Sequence, residues 1–275
     1  MKNTNIDVVP ASSTPSQRSA RALSIAATAW YTPVLLGQWI FVAYIFYAYG
    51  WPILEGNIVA WNDHLSQAYV PGRSLGNASV AVHLGLAVII HFFGPLQLVQ
   101  QVRSRFPTFH RWSGRVFVLC VVIVVAAGAY MLVVREIGAW TLRAGFIVQG
   151  LFILWFAWQA VRYARQRKFT EHMRWATRLF LAASAVWFFR VIIMIWFVLT
   201  GGIGIDTSDG TGWFLDVMSL LQFLPLALYE VYWRIKMGSN SRARYIFAAF
   251  LWLAAIATTI GVGLATLGMW FPVLG

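Results

Sequence analysis

The sequence predicts an all-α protein, a polytopic helix bundle that crosses a membrane about seven times. Of its 275 residues, 60% are hydrophobic and only 11% are charged, whereas a soluble domain carries about 25% charged residues. Several apolar runs also reach the roughly 20 residues that cross the hydrocarbon core of a bilayer. Runs of this length are helices, because a helix satisfies its backbone hydrogen bonds within the segment.

Seven apolar runs are predicted to span the membrane. No linker interrupts them, which favours one transmembrane domain over residues 25–275. Residues 1–24 are rich in Ser, Thr, Pro and Asn and lack an apolar run behind the first residue, so we predict a disordered cytosolic tail and no signal peptide. The predicted spans cover residues 26–50, 80–102, 115–134, 144–165, 175–199, 212–233 and 245–271.

The distribution of Lys and Arg predicts the orientation of the chain. Seventeen of the 21 lie in the N-terminal tail or in and beside the loops after spans two, four and six. Cytoplasmic loops carry such an excess, so we place the N-terminus in the cytosol and the C-terminus outside. Because topology explains the net charge of +12, no nucleic-acid partner is predicted, and membrane lipids are the expected partners.

Two basic loops follow the same plan, which predicts a partial internal repeat of a helical hairpin. Arg103–Arg115 has the sequence RSRFPTFHRWSGR, and Arg165–Arg178 has RQRKFTEHMRWATR. Each contains Arg-x-Arg, a histidine, Arg-Trp and a closing arginine. Arginine forms bidentate bonds to phosphate and carboxylate, so the loops are candidates for a cytosolic anion site, with snorkelling to lipid headgroups as the alternative. The candidate residues are His110, Arg111, Arg115, His172, Arg174 and Arg178.

Span two contains ionisable groups, which are functional candidates by default inside a membrane. His83 and His91 would lie about 12 Å apart along a helix and about 80° apart around it. Gln97 and Gln101 fall on the same side, which predicts a polar stripe from the outer mouth to the cytosolic loop, with a kink at Pro95. The alternative is a tightly packed seam between helices, in which the histidines bond to their neighbours.

A second polar group is predicted in the outer third of the membrane. Arg190 lies about 22 Å from the cytosolic end of its span, and Asp216 enters its own span from outside to a similar level. We predict an ion pair between them near His83, because an uncompensated charge there would cost several kcal/mol. The functional interpretation is a polar cavity open to the outside, with Gln149 deeper; the structural one is a salt bridge that fixes helix register.

Several motifs lie between about residues 80 and 200: Gly94-Pro95-x-Gln97, Arg103-x-Arg105, His110-Arg111-x-x-Gly114-Arg115, His172-Met173-x-Trp175-x-x-Arg178, and Arg190 further along. In these motifs the chain resembles a bacterial family of predicted membrane proteins that is known only as a domain of unknown function. The resemblance implies a location in the bacterial cytoplasmic (inner) membrane. It implies no substrate.

Three activities fit these residues. In binding or transport of a small or lipid-like anion, the loop arginines would bind the acidic group, with His83 and His91 as proton carriers.

A cytochrome-b-like redox protein would hold haem as its cofactor between histidines of different segments, which only His110 and His172 provide at one depth. A membrane enzyme on a lipid or prenyl substrate would use one of these two as acid or base, although no serine nucleophile motif is present. No metal site is predicted unless the two loops bring His110 and His172 together with Glu230.

Overall fold

The computed structural model describes residues 14–65, 67–134, 139–206 and 211–271, and in these ranges the chain is helical apart from loops and one isolated β-bridge, Asp206–Thr211. The α-helices are α1 (Pro15–Ile45), α2 (Trp51–Leu54), α3 (Ser74–Leu98), α4 (Gln100–Arg105), α5 (Pro107–Val134), α6 (Trp140–Arg165), α7 (Phe169–Ala183), α8 (Ala185–Thr200), α9 (Trp213–Leu221), α10 (Leu224–Met237) and α11 (Ser241–Ala265).

The predicted polytopic helix bundle is confirmed. Within the described ranges, six helical stretches are long and apolar enough to cross a membrane, and the pair formed by α7 and α8 makes a seventh when counted as one bent span. The six are Pro15–Leu54, Ser74–Leu98, Pro107–Val134, Trp140–Arg165, Trp213–Met237 and Ser241–Trp270. Each overlaps one predicted span, because hydropathy reports the length of an apolar run directly. The inside–outside orientation stays a prediction.

Packing between the helices brings the first and last α-helices, α1 and α11, together. Helix α1 packs along α11 and also contacts α3, which pairs with α5; α6 pairs with α7 and contacts α5 and α9. The largest hydrophobic cluster lies among α1, α8, α11 and the segment after α1. Its Trp61, Trp187 and Trp270 side chains are almost fully buried.

The first helix begins earlier than the sequence predicts. Thr14 and Gln17 form a capping box, in which each side chain accepts a hydrogen bond from the other residue's backbone N–H, and Pro15 occupies the first helical turn. Both features start a helix. Residues 15–24 are therefore helical, and the predicted disordered tail is wrong for that part; residues 1–13 lie outside the described residues.

Helix α3 ends between two of the residues predicted to share its polar stripe. Pro95 lies inside α3, and the helix stops three residues later, where Val99 takes an extended conformation with ψ 118°. The next helix, α4, starts at Gln100. Gln101 therefore belongs to a different helix from His83 and His91, and the predicted stripe does not reach it.

The bend between α7 and α8 is centred on Ser184. The two helices meet at 51°, and Ser184 has φ −91° and ψ 0°. The Gln149 side chain of α6 donates a hydrogen bond to the Ala182 carbonyl beside the bend, at 2.8 Å. A buried glutamine thus supplies a hydrogen bond where the regular helix is interrupted.

An aromatic layer covers the outer end of α1. After a π-helical turn, Phe46–Gly50, the chain continues through α2 and a 3₁₀ turn, Ile58–Asp63. The buried Trp61 indole donates to the Tyr49 carbonyl at 2.8 Å, which fixes this segment against α1. We call residues 46–65 the outer lid.

Helices α6 and α9 approach closely at Gly145. A Cβ atom there would lie 2.9 Å from the Ser219 carbonyl oxygen and 2.8 Å from Nε2 of Gln222.

We expect Gly145→Ala to lower the free energy of unfolding by about 1 kcal/mol, because the backbone of α9 must shift. The matched control is Gly85→Ala in α3, where a Cβ meets no atom within 4 Å; it should be neutral or stabilising by up to about 1 kcal/mol. Unfolding in detergent titrations measures both, and equal effects would contradict the close approach.

Candidate functional site

The two copies of the predicted repeat share a local geometry. His110 lies in the first turn of α5 and His172 in the first turn of α7. In both copies an arginine stacks on the tryptophan three residues before it: Arg115 lies 4.9 Å from the Trp112 ring centre, and Arg178 lies 4.1 Å from that of Trp175. The repeated spacing thus places equivalent cations at the start of two apolar helices.

His110 and His172 lie close enough for their charges to interact, and the charges of Arg103 and Arg111 also act on His110. We call these four residues the inner basic cluster. Neither arginine forms an ion pair with a carboxylate of the described chain; Arg111 donates to the Thr108 hydroxyl at 3.1 Å. The cluster therefore concentrates positive charge without an acidic counter-group.

The two imidazoles are held differently. Nδ1 of His172 donates to the Ala160 carbonyl of α6 at 2.9 Å, since a carbonyl can only accept, and this bond leaves Nε2 as the nitrogen with a lone pair. Nδ1 of His110 is buried and has no hydrogen-bond partner in the described part of the chain. A buried nitrogen without a partner is costly, so a ligand that bonds to it would be stabilised.

Two other predicted anion-binding residues are already paired. Arg178, which is only 8% exposed, forms two hydrogen bonds to Glu230 of α10, at 2.6 and 2.9 Å. Arg174 contacts the same carboxylate at 3.4 Å and lies 5.5 Å from the ring centre of Trp233. Arg178 therefore anchors α7 to α10, and its planar fork is not open to a ligand, contrary to the sequence-based prediction.

The predicted polar path along α3 is not one continuous row. His83 donates from Nδ1 to the Val124 carbonyl of α5 at 3.3 Å, whereas Gln97 donates to the Ser113 hydroxyl at 2.8 Å. Between these levels, a Cβ on Gly94 would come within 2.9 Å of the Phe117 ring. This part of α3 is a tightly packed seam between helices, which was the alternative interpretation of the polar stripe. Gln101 lies beyond the seam and is exposed.

His91 belongs to a buried network that the sequence analysis missed. The Gln38 side chain of α1, with no exposed surface, accepts from Nδ1 of His91 at 3.3 Å and donates to the Ser184 hydroxyl at 2.8 Å. The network joins α1 and α3 to the bend between α7 and α8. Its sequence signal is a glutamine within the apolar run of α1, whereas the sequence analysis considered glutamines only in spans two and four.

The predicted ion pair between Arg190 and Asp216 is wrong. Asp216 is exposed in the first turn of α9 and accepts a short hydrogen bond from the Thr141 hydroxyl of α6. Arg190 lies 5.3 Å from the ring centre of Phe41 instead, and its charge acts on His83 and on His91. Depth along a helix can be estimated from the sequence, but depth says nothing about which side of the helix a residue faces.

Comparison with known proteins decides the family. The family of predicted membrane proteins of unknown function, DUF2306, matches residues 80–233 of this chain. The chain belongs to the DUF2306 family. No curated protein and no solved structure matches the chain at a significant level.

The DUF2306 match runs from α3 to α10. It contains both copies of the basic repeat, the inner basic cluster and Glu230, and it confirms the sequence-based resemblance. Helix α1, with Gln38, and helix α11 lie outside the matched range.

His110, His172 and Glu230 are side chains of the types that bind a metal ion. In the described part of this chain, no group of three or more His, Cys, Asp or Glu side chains is placed to hold a metal ion. Glu230 is instead bonded to Arg178 and Arg174. The site that remains is a cationic one, built from imidazole and guanidinium groups.

Proposed function

We propose that this membrane protein binds an amphipathic anion at the inner basic cluster, on the cytosolic side. One observation carries the proposal: the buried Nδ1 of His110 has no hydrogen-bond partner among the described residues, and no carboxylate of the described chain is paired to Arg103 or Arg111 beside it. An anionic group placed among them would relieve the repulsion and gain charge-assisted hydrogen bonds.

Apolar surface beside the cluster supports an amphipathic ligand over a small inorganic anion. On the same turns of the chain, Trp112 and Phe106 are each 61% exposed and Phe109 is 43% exposed. Aromatic rings at this level lie at the membrane–water interface, where they would contact the hydrocarbon part of a ligand whose head group reaches the cations.

Binding, rather than transport, is what the geometry supports. The upper polar residues His83 and His91 are bonded to α5 and α1 respectively, and the seam at Gly94 separates them from Gln97. Because the polar side chains along α3 do not form a continuous row from one face to the other, we propose binding without translocation.

The test compares ligand affinity in two double variants that remove basic groups from the cytosolic side. The protein is placed in nanodiscs of phosphatidylcholine, and binding of a short-chain phosphatidic acid is measured against inorganic phosphate. We expect His110→Ala with His172→Ala to raise the Kd for phosphatidic acid at least about tenfold, equivalent to about 1.4 kcal/mol.

The control is Arg234→Ala with Arg242→Ala, which removes two exposed cations outside the cluster. It should change the Kd less than about twofold, because exposed charges act weakly through screened solvent. If the control weakens binding as much as the histidine variant, general charge attraction accounts for binding and the cluster does not.

Haem binding is a second candidate, favoured by the hydrogen bond from Nδ1 of His172 to the Ala160 carbonyl. Metal-ligating histidines usually donate their second ring nitrogen to a carbonyl or carboxylate in this way. His110, on another helix, would supply the opposite ligand, and Arg103 and Arg111 would meet the propionates. An absorption spectrum of the purified protein distinguishes the two candidates: a Soret band that either histidine substitution abolishes identifies haem as the ligand, and a colourless protein that binds phosphatidic acid does not hold it.

A further inference from the structure

Arg190 is a cation inside the membrane whose role the inner basic cluster does not explain. It lies on α8, ten residues before the outer end of that helix at Thr200, or about 15 Å below it. Charged side chains at such depths are expensive, and those that persist mark ligand or ion sites. Its side chain is only partly exposed, so water does not fully solvate it.

The described part of the chain offers Arg190 no carboxylate partner. Its Nη1 donates to the Val186 carbonyl at 3.3 Å, whereas a guanidinium carries five N–H donors. Its remaining neighbours are aromatic or themselves basic: the Phe41 ring, two histidines of α3, and the tyrosines at the end of α1. Neither Coulombic attraction to an acid nor full solvation therefore offsets the cost of burying this charge.

Two acidic residues of the described chain, Asp216 and Glu55, are engaged elsewhere. Asp216 accepts from Thr141, and Glu55 accepts from the Trp51 indole at 2.8 Å. A role for Arg190 in fixing helix register by a salt bridge is thereby removed. What remains is a cation kept ready for a group that comes from outside the chain.

The outer lid forms an aromatic roof above Arg190. The Phe41 ring, 5.3 Å from Arg190, lies 5.8 Å from the Tyr44 ring, and the Tyr44 and Tyr49 rings lie 6.3 Å apart. His64 of the lid lies 5.9 Å from the Tyr44 ring and 5.8 Å from the Tyr49 ring. Tyrosine hydroxyls can donate to an anion, so the roof adds hydrogen-bond donors to the charge below it.

We infer that Arg190, with Tyr44 and Tyr49, forms a second anion site beneath the outer lid and takes a single carboxylate group. A carboxylate matches the planar donor fork of one guanidinium, and its single negative charge balances the single positive charge. A phosphate dianion would leave net charge in the membrane. The carboxylate could belong to a free small acid or to a fatty acid of the outer leaflet.

The experiment measures ligand-induced stabilisation in phosphatidylcholine nanodiscs with two probes, benzoate for the free acid and palmitate for the lipid. A ligand that binds only the folded state raises the unfolding temperature. We expect one or both probes to raise the unfolding temperature of the wild type, and Arg190→Met to abolish that rise. A response to palmitate alone identifies a lipid source, and a response to benzoate identifies a free acid. The measurement is repeated with His110→Ala and His172→Ala present, which removes binding at the inner basic cluster.

Two further readouts separate a binding role from a structural one. Arg190→Met should leave the ligand-free protein at least as stable as the wild type, because it removes an uncompensated charge; a structural cation would instead make the variant less stable. Asp216→Asn is the matched control, since it removes an outer charge that does not contact Arg190, and it should respond to the probe like the wild type.

The inference is overturned if neither acid stabilises the wild type, or if Arg190→Met responds as strongly as the wild type. Should Arg190→Met fail to fold, Tyr49→Phe serves in its place, because it removes only a hydroxyl. That variant should weaken the response several-fold, and an unchanged response would contradict a site under the lid.

Discussion

Replacing Glu230 with glutamine is expected to lower the free energy of unfolding by about 3 kcal/mol, the lower end of the cost of breaking a buried ion pair. The variant leaves Arg178, which is 8% exposed, without the carboxylate that accepts its two hydrogen bonds. It also leaves Arg174 and Arg178 as neighbouring positive charges. Glu230 itself keeps 31% of its side chain exposed, which is why the larger values for fully buried pairs are not expected.

The matched control for this prediction is Glu171→Gln, which makes the same substitution in the first turn of α7. Glu171 forms no ion pair with the described residues, so its replacement should change stability by less than about 0.5 kcal/mol. Detergent-titrated unfolding measures both. A second comparison is the double variant Arg178→Leu with Glu230→Leu, which should be less harmful than Glu230→Gln because the buried Arg178 charge is removed and only the partly exposed Arg174 loses its partner. Equal losses for Glu230→Gln and Glu171→Gln would show that the ion pair does not hold α7 to α10.

The repeat shows how far the sequence alone could describe the inner site. The spacing from Arg-x-Arg to histidine is the same in both copies, although the second has one residue more between His and Arg-Trp. His110 and His172 lie in the first turns of their helices, and both copies stack arginine on tryptophan. The sequence could not show that, among the described residues, the second copy pairs with an acid and the first does not, because that depends on α10 passing beside α7. Equivalent residues in a repeat therefore have different roles: Arg178 is a structural anchor, whereas the cations around His110 remain available.

The membrane spans were predicted well because they depend on local sequence, whereas the contacts between the spans depend on how distant helices pack. The length of an apolar run shows where a helix can cross the bilayer. The face that each residue presents depends on the packing of helices far apart in the chain. Asp216 turned out to face α6, through Thr141, because α9 packs against α6, a contact that no local pattern encodes.

Capping chemistry was a readable signal that the sequence analysis did not use. Thr14, Pro15 and Gln17 fit the pattern of a helix start, yet polar composition led to the prediction of a disordered tail. Local hydrogen bonding can begin a helix before its apolar run does, so composition alone placed the start of α1 too late.

The second large effect is expected at Gln38, whose side chain lies at the centre of the buried network. Replacing Gln38 with leucine should lower the free energy of unfolding by about 2 kcal/mol, because the ring N–H of His91 and the hydroxyl of Ser184 both lose their partner. Each orphaned buried group costs about 1–3 kcal/mol in water-soluble proteins, and hydrogen bonds between membrane helices average less, about 0.6 kcal/mol. Gln101→Leu, at an exposed position, is the control and should have little effect.

A triple variant decides whether the loss at Gln38 comes from unsatisfied hydrogen bonds or from a change of shape. With Gln38→Leu, His91→Leu and Ser184→Ala together, no polar group remains to be satisfied, and apolar replacement of all partners is close to neutral. Stability should therefore recover most of the way to that of the wild type, a coupling that a mutant cycle over the three positions measures. If the triple variant is instead less stable than Gln38→Leu by the sum of the separate effects, the three side chains act independently, and the network does not join α1 and α3 to the bend at Ser184.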